Sequence, residues 1–140
     1  ALSGAAVWPV RRLMQISGVG PLIASALYSL VGDARQYRNG RELAVALGLT
    51  PRQHSSGGKE KLLGISKRGD KYVRTLLIHG ARSALRTAPS RTDRISRWAL
   101  ALAERSHPNV AVTALANKTA RVAWAMLRHG ANYEPERVAA

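Results

Sequence analysis

The stretch DKYVRTLLIHGARSA, residues 70–84, decides the fold class of this chain. Apolar or small residues recur in it every three or four positions, which is the period of an α-helix with one buried side. These residues are Val73, Leu76, Leu77, Gly80 and Ala84. A neighbouring side carries Lys71, Arg74, Ile78 and Arg82. We therefore predict a helix capped by Asp70, with a basic stripe beside its apolar one.

The helical period continues on both sides of this stretch, interrupted by glycine and proline. Further helices are predicted at about 10–14, 21–31, 39–47, 93–105 and 110–129. Asn39 with Glu42 resembles a capping box, and Ser90 with Asp93 is a second candidate cap. The tail at 133–136 is predicted to be loosely held. We expect an all-α, compact bundle of about six helices in one domain over residues 1–140.

The charge of the chain favours a polyanion as its partner. Its 140 residues include 22 Lys and Arg against 8 Asp and Glu, a formal net charge of +14. Positive charges at this density repel one another unless a polyanion such as DNA or RNA offsets them. A membrane is the weaker alternative partner, because no apolar run is long enough to predict a membrane span. The absence of cysteine excludes disulfides and thiolate metal sites. The first residues, Ala1 to Gly4, resemble neither a signal peptide nor a natural start, so we expect a fragment of a longer protein, and the nucleic-acid partner leads us to expect that it acts inside a cell.

Helical periodicity disappears between Thr50 and Gly69, where glycine, serine and basic residues are concentrated. This segment, about 50–69, is predicted to be a long active loop. A serine at 55 or 56 is a candidate nucleophile toward a phosphodiester, because Arg52, Lys59 and Lys61 would stabilise the charge on phosphorus. Gly57 and Gly58 allow close backbone approach, and His54 is a candidate proton carrier. The alternative is a loop that only clamps phosphates, and composition alone favours that alternative.

A second candidate phosphate contact lies at Ile16-Ser17-Gly18-Val19-Gly20-Pro21, which has the form of a helix-hairpin-helix element at about 10–31. Gly18 and Gly20 would let the backbone approach a phosphate, and the N–H groups that open the next helix would donate to it. A plain connection between two helices is the alternative. Both interpretations stay open at this point.

Metal chemistry is not predicted within this chain. The eight acidic residues are scattered, so no pair of magnesium ions has a candidate site. His79, His107 and His129 lack the spacing of metal ligands. Trp8, Trp98 and Trp124 lie on predicted helices and are assigned to the core.

Three motifs in this order resemble the C-terminal domain of the bridge-RNA-guided, DEDD-type insertion-sequence transposases, which are related to the Piv and MooV invertases. They are Ile16 to Pro21, Leu47 to Lys59 and Ile65 to Asp70, and the resemblance covers about residues 10–133. It implies that Ser56 is the nucleophile and forms a phosphoserine link to cleaved DNA. It also implies a missing N-terminal RuvC-like domain whose acids bind magnesium.

The resemblance further implies donor and target DNA, a structured guide RNA and multimers, in a bacterial cytoplasm near the nucleoid. Without the RuvC-like half we expect the chain to bind nucleic acid but to cut poorly. Alternatives are a non-catalytic helix-hairpin-helix module and a structural RNA-binding protein. Besides Ser56, the predicted nucleic-acid contacts are Gly18, Gly20, Arg52, His54, Gly57, Gly58, Lys59, Lys61, Lys67, Arg68, Lys71 and Arg74.

Overall fold

The computed structural model describes residues 4–50 and 68–136. Within them the backbone forms six α-helices and no strand, which confirms the all-α prediction. They are α1 (Gly4–Leu13), α2 (Pro21–Val31), α3 (Gly40–Ala46), α4 (Arg68–Thr87), α5 (Arg94–Arg105) and α6 (Pro108–His129), with 3-10 turns at Ala34–Gln36 and Ala88–Ser90. The predicted site residues outside the described part are Arg52, His54, Ser56, Gly57, Gly58, Lys59, Lys61 and Lys67.

Helix α6 is the centre of the bundle, since every other α-helix contacts it. Its inner side is lined by small residues, and Ala111, Ala116, Ala120 and Ala123 are fully buried. Short side chains let neighbouring helices come close. At Gly40 in α3, a Cβ atom would lie 2.9 Å from the Arg121 Cα of α6. The core also contains three buried leucines from these helices: Leu43 of α3, Leu77 of α4 and Leu115 of α6.

Local capping defines several helix ends. The Asn39 side chain accepts a hydrogen bond from the Glu42 N–H at 2.9 Å, as the capping pattern predicts, while the Glu42 carboxylate accepts from the Arg38 N–H at 2.7 Å. Gly130 follows α6 at φ 61°, the left-handed conformation expected of a C-terminal glycine. These ends are therefore determined by residues close in sequence.

The predicted start of α4 is wrong by a few residues. Helix α4 begins at Arg68, so Asp70 lies inside its first turn instead of capping it. An acidic residue is favourable at either place, because both are near the positive end of the helix dipole, and the sequence signal is the same. Arg68 and Gly69 accordingly belong to α4 and not to the loop. Asp93 itself caps α5, accepting from the Ser96 N–H at 3.2 Å.

Helix α1 is longer than predicted and continues through Pro9. A proline removes one backbone hydrogen bond from a helix interior, so its place inside α1 carries a cost. Burial of Val10 and Leu13 against the core offsets that loss. Trp8 was assigned to the core, but its side chain is 63% exposed, so that assignment is wrong.

The C-terminal tail is held, contrary to the prediction. The Tyr133 N–H donates to the Gln15 Oε1 at 2.8 Å, and the Tyr133 ring packs against the core. Farther along, the Glu136 carboxylate accepts from the Arg94 N–H at the start of α5, at 3.3 Å. These contacts join residues far apart in sequence, so local composition did not indicate them.

Candidate nucleic-acid interface

One side of α4 is exposed and basic. Lys71, Thr75, His79, Arg82 and Arg86 are all exposed, and their spacing places them on one face of the helix. We call these five residues the basic face. After Asp70 in its first turn, α4 contains no further Asp or Glu, so the stretch of helix from Lys71 to Thr87 has no acid of its own to neutralise its cations. The face therefore keeps its positive charge available to an anionic ligand.

Arg74 lies at the edge of this face and reaches toward the end of α3. A Cβ atom at Gly48 would lie 2.8 Å from the Arg74 Nη1, which shows how closely the flexible end of this arginine approaches the backbone at Gly48. Gly48 also adopts φ +71°, which favours glycine independently. Arg74 is thus brought next to residues 48–50, from which the chain continues into segment 51–67.

Asn117 and Arg121 of α6 hold the same point of the chain. The Asn117 Nδ2 donates to the Leu49 carbonyl oxygen at 3.0 Å, and the Arg121 Nε donates to the Asn117 Oδ1 at 2.8 Å. We call Leu49, Asn117 and Arg121 the anchor. Sequence reasoning missed it, although two polar residues four positions apart in an apolar helix were a signal.

A cleft of about 570 Å³ opens beside the anchor. It is lined by Leu49, Thr50, Trp98, Asn109, Val110, Thr113, Ala114, Asn117 and Arg121. Lys118 is buried on the neighbouring side of α6, with its Nζ 5.2 Å from the centre of the Trp98 ring. Burial lowers the pKa of Lys118, and the charges of Arg121 and Arg94 lower it further.

The hairpin glycines have different structural roles. Gly18 has φ +86°, and a Cβ atom there would overlap the Gly80 carbonyl oxygen and lie 3.1 Å from the Ala84 Cβ of α4. Its small size is therefore explained by packing against α4. At Gly20, just before α2, a Cβ atom would meet nothing within 4 Å. Phosphate binding by either residue stays a prediction.

Three acidic residues of the described part are paired with arginines outside the basic face. The Asp33 carboxylate lies 3.0 Å from the Arg35 guanidinium. The Glu42 carboxylate lies 3.2 Å from that of Arg38, and the Asp93 carboxylate lies 2.9 Å from that of Arg91. Hydrogen bonds from Arg35 hold the pKa of Asp33 below its usual value, and those from Arg38 do the same for Glu42. Lys71 and Arg74 themselves lie on the surface of α4, which is where their helical spacing predicts them.

Two further observations concern metals and membranes. In residues 4–50 and 68–136, no three His, Asp or Glu side chains are grouped as metal ligands would be. His107 instead caps α6, its Nδ1 accepting from the Asn109 N–H at 3.0 Å. No helix of this described part has the length and hydropathy to span a bilayer.

Comparison with known proteins identifies the family. The sequence model of the Transposase IS116/IS110/IS902 family matches residues 10–96. The chain belongs to this transposase family. The matched region includes the hairpin, the anchor residue Leu49, segment 51–67 and all of α4, so it contains every predicted site residue of this transposase chain.

Curated relatives extend the similarity over most of the chain. A "Probable family 20 transposase" of Pseudomonas aeruginosa is 52% identical over 90% of this chain and 37% of its own length. The transposase for insertion sequence element IS1111A of Coxiella burnetii is 52% identical over 88% of the chain and 34% of its own. The transposase for insertion sequence element IS1328 of Yersinia enterocolitica is 42% identical over 86% of the chain and 36% of its own length. The transposase chain therefore spans about a third of each relative.

Proposed function

We propose that this chain is the DNA-binding part of an insertion-sequence transposase and that it contributes the serine nucleophile, Ser56, to strand cleavage and rejoining. The observation that carries the proposal is the position of the anchor. The segment that contains Ser56 begins just after Leu49, which Asn117 holds, and Gly48, which Arg74 approaches, and the chain returns at Arg68 into the helix that bears the basic face. A DNA backbone held on α4 would therefore lie near both ends of the serine-bearing segment.

The chemistry that we propose for Ser56 conserves the phosphodiester bond energy. The Ser56 oxygen forms a bond to phosphorus as one backbone P–O bond breaks, and the serine proton passes to the leaving DNA hydroxyl. Attack by a DNA hydroxyl on the phosphoserine then reverses the exchange and restores the serine. Cations such as Arg52, Lys59 and Arg74 would stabilise the charge that develops on the phosphate oxygens.

The remaining parts of the proposal lie beyond this chain. We propose a RuvC-like domain that binds magnesium, a structured guide RNA that pairs with donor and target DNA, and multimers acting in the bacterial cytoplasm. The acids of the described helices and turns do not fit a magnesium site, since Asp33, Glu42 and Asp93 are engaged in caps and ion pairs. No step of the chemistry above is therefore assigned to a metal on this chain.

Ser56→Ala in the full-length transposase tests the proposal. Recombination should be lost and the covalent protein–DNA adduct should disappear, while DNA affinity stays within twofold, because only the nucleophilic oxygen is removed. Ser55→Ala is the matched control and should retain the adduct. Wild-type recombination in Ser56→Ala would contradict the assignment. An adduct that depends on Ser55 instead would move the nucleophile by one residue.

A further inference from the structure

Tyr72 is an exposed aromatic residue within the basic surface of α4. The residue is 52% exposed, so the face of its ring is accessible to a ligand. It follows Lys71 directly and precedes Thr75 and His79 by three and seven positions, so all four lie on one side of the helix. Within the described part of the chain, neither the ring nor the hydroxyl of Tyr72 has a hydrogen-bonding or ring partner.

The surroundings of Tyr72 match the chemistry of a nucleotide. A nucleotide combines a flat apolar base with a negative phosphate, and proteins bind unpaired strands by stacking aromatic rings on bases while cations hold the backbone. Tyr72 provides the ring. Lys71 and Arg82 provide cations separated by about 16 Å along the helix axis, and Arg86 lies one turn farther. No acid of α4 after Asp70 opposes this arrangement.

The other exposed aromatic residue, Trp8, differs in its setting. Trp8 on α1 is 63% exposed, but the Arg11 guanidinium already lies 5.9 Å from the centre of its ring. Helix α1 packs against α2 and α6. The two residues therefore form a natural pair for comparison: both are exposed aromatics beside a cation, and only Tyr72 lies on α4.

We propose that Tyr72 stacks on an unpaired base of a DNA or RNA strand whose phosphates are held by Lys71, Arg82 and Arg86. This inference rests on the proposed function, because it names the ligand of the same basic surface. It adds base stacking at an unpaired nucleotide to phosphate contact. The site takes the base of an unwound strand or of a single-stranded region of folded RNA, since bases inside a duplex do not expose their faces.

Equilibrium binding to oligonucleotides tests the inference in the full-length transposase. Tyr72→Ala should weaken binding to oligothymidine about tenfold, whereas Tyr72→Phe should bind like the wild type, because the ring and not the hydroxyl stacks. An abasic strand of the same length keeps the phosphates and lacks the bases. On that strand Tyr72→Ala should bind as tightly as the wild type. Oligouridine, used in parallel, shows whether RNA or DNA is the preferred source of the base.

Trp8→Ala is the control and should leave all affinities unchanged, and circular dichroism should show equal helix content in every variant. An equal decrease in affinity on abasic and normal strands, or no decrease on either, would overturn the stacking assignment. Failure of the Ser56 prediction would leave these results untouched, because they measure binding and not strand cleavage. The two proposals can thus fail separately.

Discussion

At the scale of single residues, Gly18 and Gly80 allow the hairpin to touch α4. A side chain on Gly18 would be strained at φ +86° and would overlap the Gly80 carbonyl oxygen. We expect Gly18→Ala to lower the free energy of unfolding by about 2 to 4 kcal/mol, from the left-handed backbone and the overpacking together. Urea denaturation measures the change.

Gly20→Ala is the matched control, because a Cβ atom there meets nothing within 4 Å and φ is −95°. Its stability should fall by no more than about 1 kcal/mol, because Gly20 is the N-cap residue of α2, where alanine is less favourable than glycine. If both variants were equally destabilised, the packing explanation for Gly18 would be wrong. Because Gly20→Ala keeps the fold, it also isolates the effect of the hairpin on phosphate binding.

Lys118 makes stability depend on pH. Burial lowers its pKa below 10.5, so near that pH the unfolded chain binds more protons at this residue than the folded chain does. Stability should therefore rise as the pH increases from the lowered pKa toward 10.5. Lys118→Met should flatten that rise in the unfolding free energy. Lys71→Met removes an exposed lysine and should keep the wild-type slope; an identical slope in Lys118→Met would refute the prediction.

At the scale of elements, Asp93 determines where α5 begins. Partial burial raises the pKa of Asp93, but hydrogen bonds from Ser96 and Arg91 outweigh that effect and hold it below 3.8. The stability that the Asp93 carboxylate contributes is thus fully present above pH 3.8 and is lost as the pH falls through the lowered pKa of Asp93. Asp93→Ala should cost about 1 kcal/mol at neutral pH.

Asp93→Asn, which keeps a capping oxygen, should cost less, and thermal unfolding across pH values distinguishes the two variants. The acid-dependent part of the stability should be smaller in both, because neither has a carboxylate at position 93. An alanine variant as stable as the wild type at neutral pH would show that the cap is dispensable.

The helices could be predicted from the sequence where their signals are local. Periodicity gave α4 its length, and Asn39 and Gly130 marked ends by chemistry that acts within one turn. Trp8 was misplaced because its apolar character does not reveal whether another element covers it. The contact between Tyr133 and Gln15 was missed because it joins residues 118 positions apart.

In the candidate site, too, features with local signals could be predicted, whereas contacts between residues far apart in sequence could not. Lys71 and Arg74 could be predicted from charge and helical spacing. The hydrogen bond from Asn117 to Leu49 depends on how α6 packs against the end of α3, 68 positions away in sequence, and no local pattern encodes that. Likewise, Gly18 signals a turn, but only the tertiary structure reveals Gly80 as its partner.

At the scale of the whole molecule, the cations of the basic face should determine how salt affects binding. A cation that neutralises one phosphate of duplex DNA contributes about 0.9 to the slope of log affinity against log salt. We expect a shallower slope for the triple variant Lys71→Ala, Arg82→Ala and Arg86→Ala. The slope should decrease by about 0.9 for each removed cation that binds a phosphate in the wild type. Fluorescence anisotropy over a range of salt concentrations measures the slope.

A second triple variant, Arg35→Ala, Arg38→Ala and Arg91→Ala, has the same net charge but removes arginines that are already paired with acids. It should nearly keep the wild-type slope. Equal slopes in the two variants would mean that total charge, and not the location of the basic face, governs binding.

The tail contact has a consequence for synthesis of the protein. The Tyr133 N–H bonds to Gln15, so this part of the fold closes only after the helices from α1 to α6 have all left the ribosome. Until then the hairpin and α5 lack the cover that Tyr133 and Glu136 provide. A nascent transposase chain therefore completes this packing late, and a message truncated before the codon for Tyr133 would yield a protein that lacks these contacts.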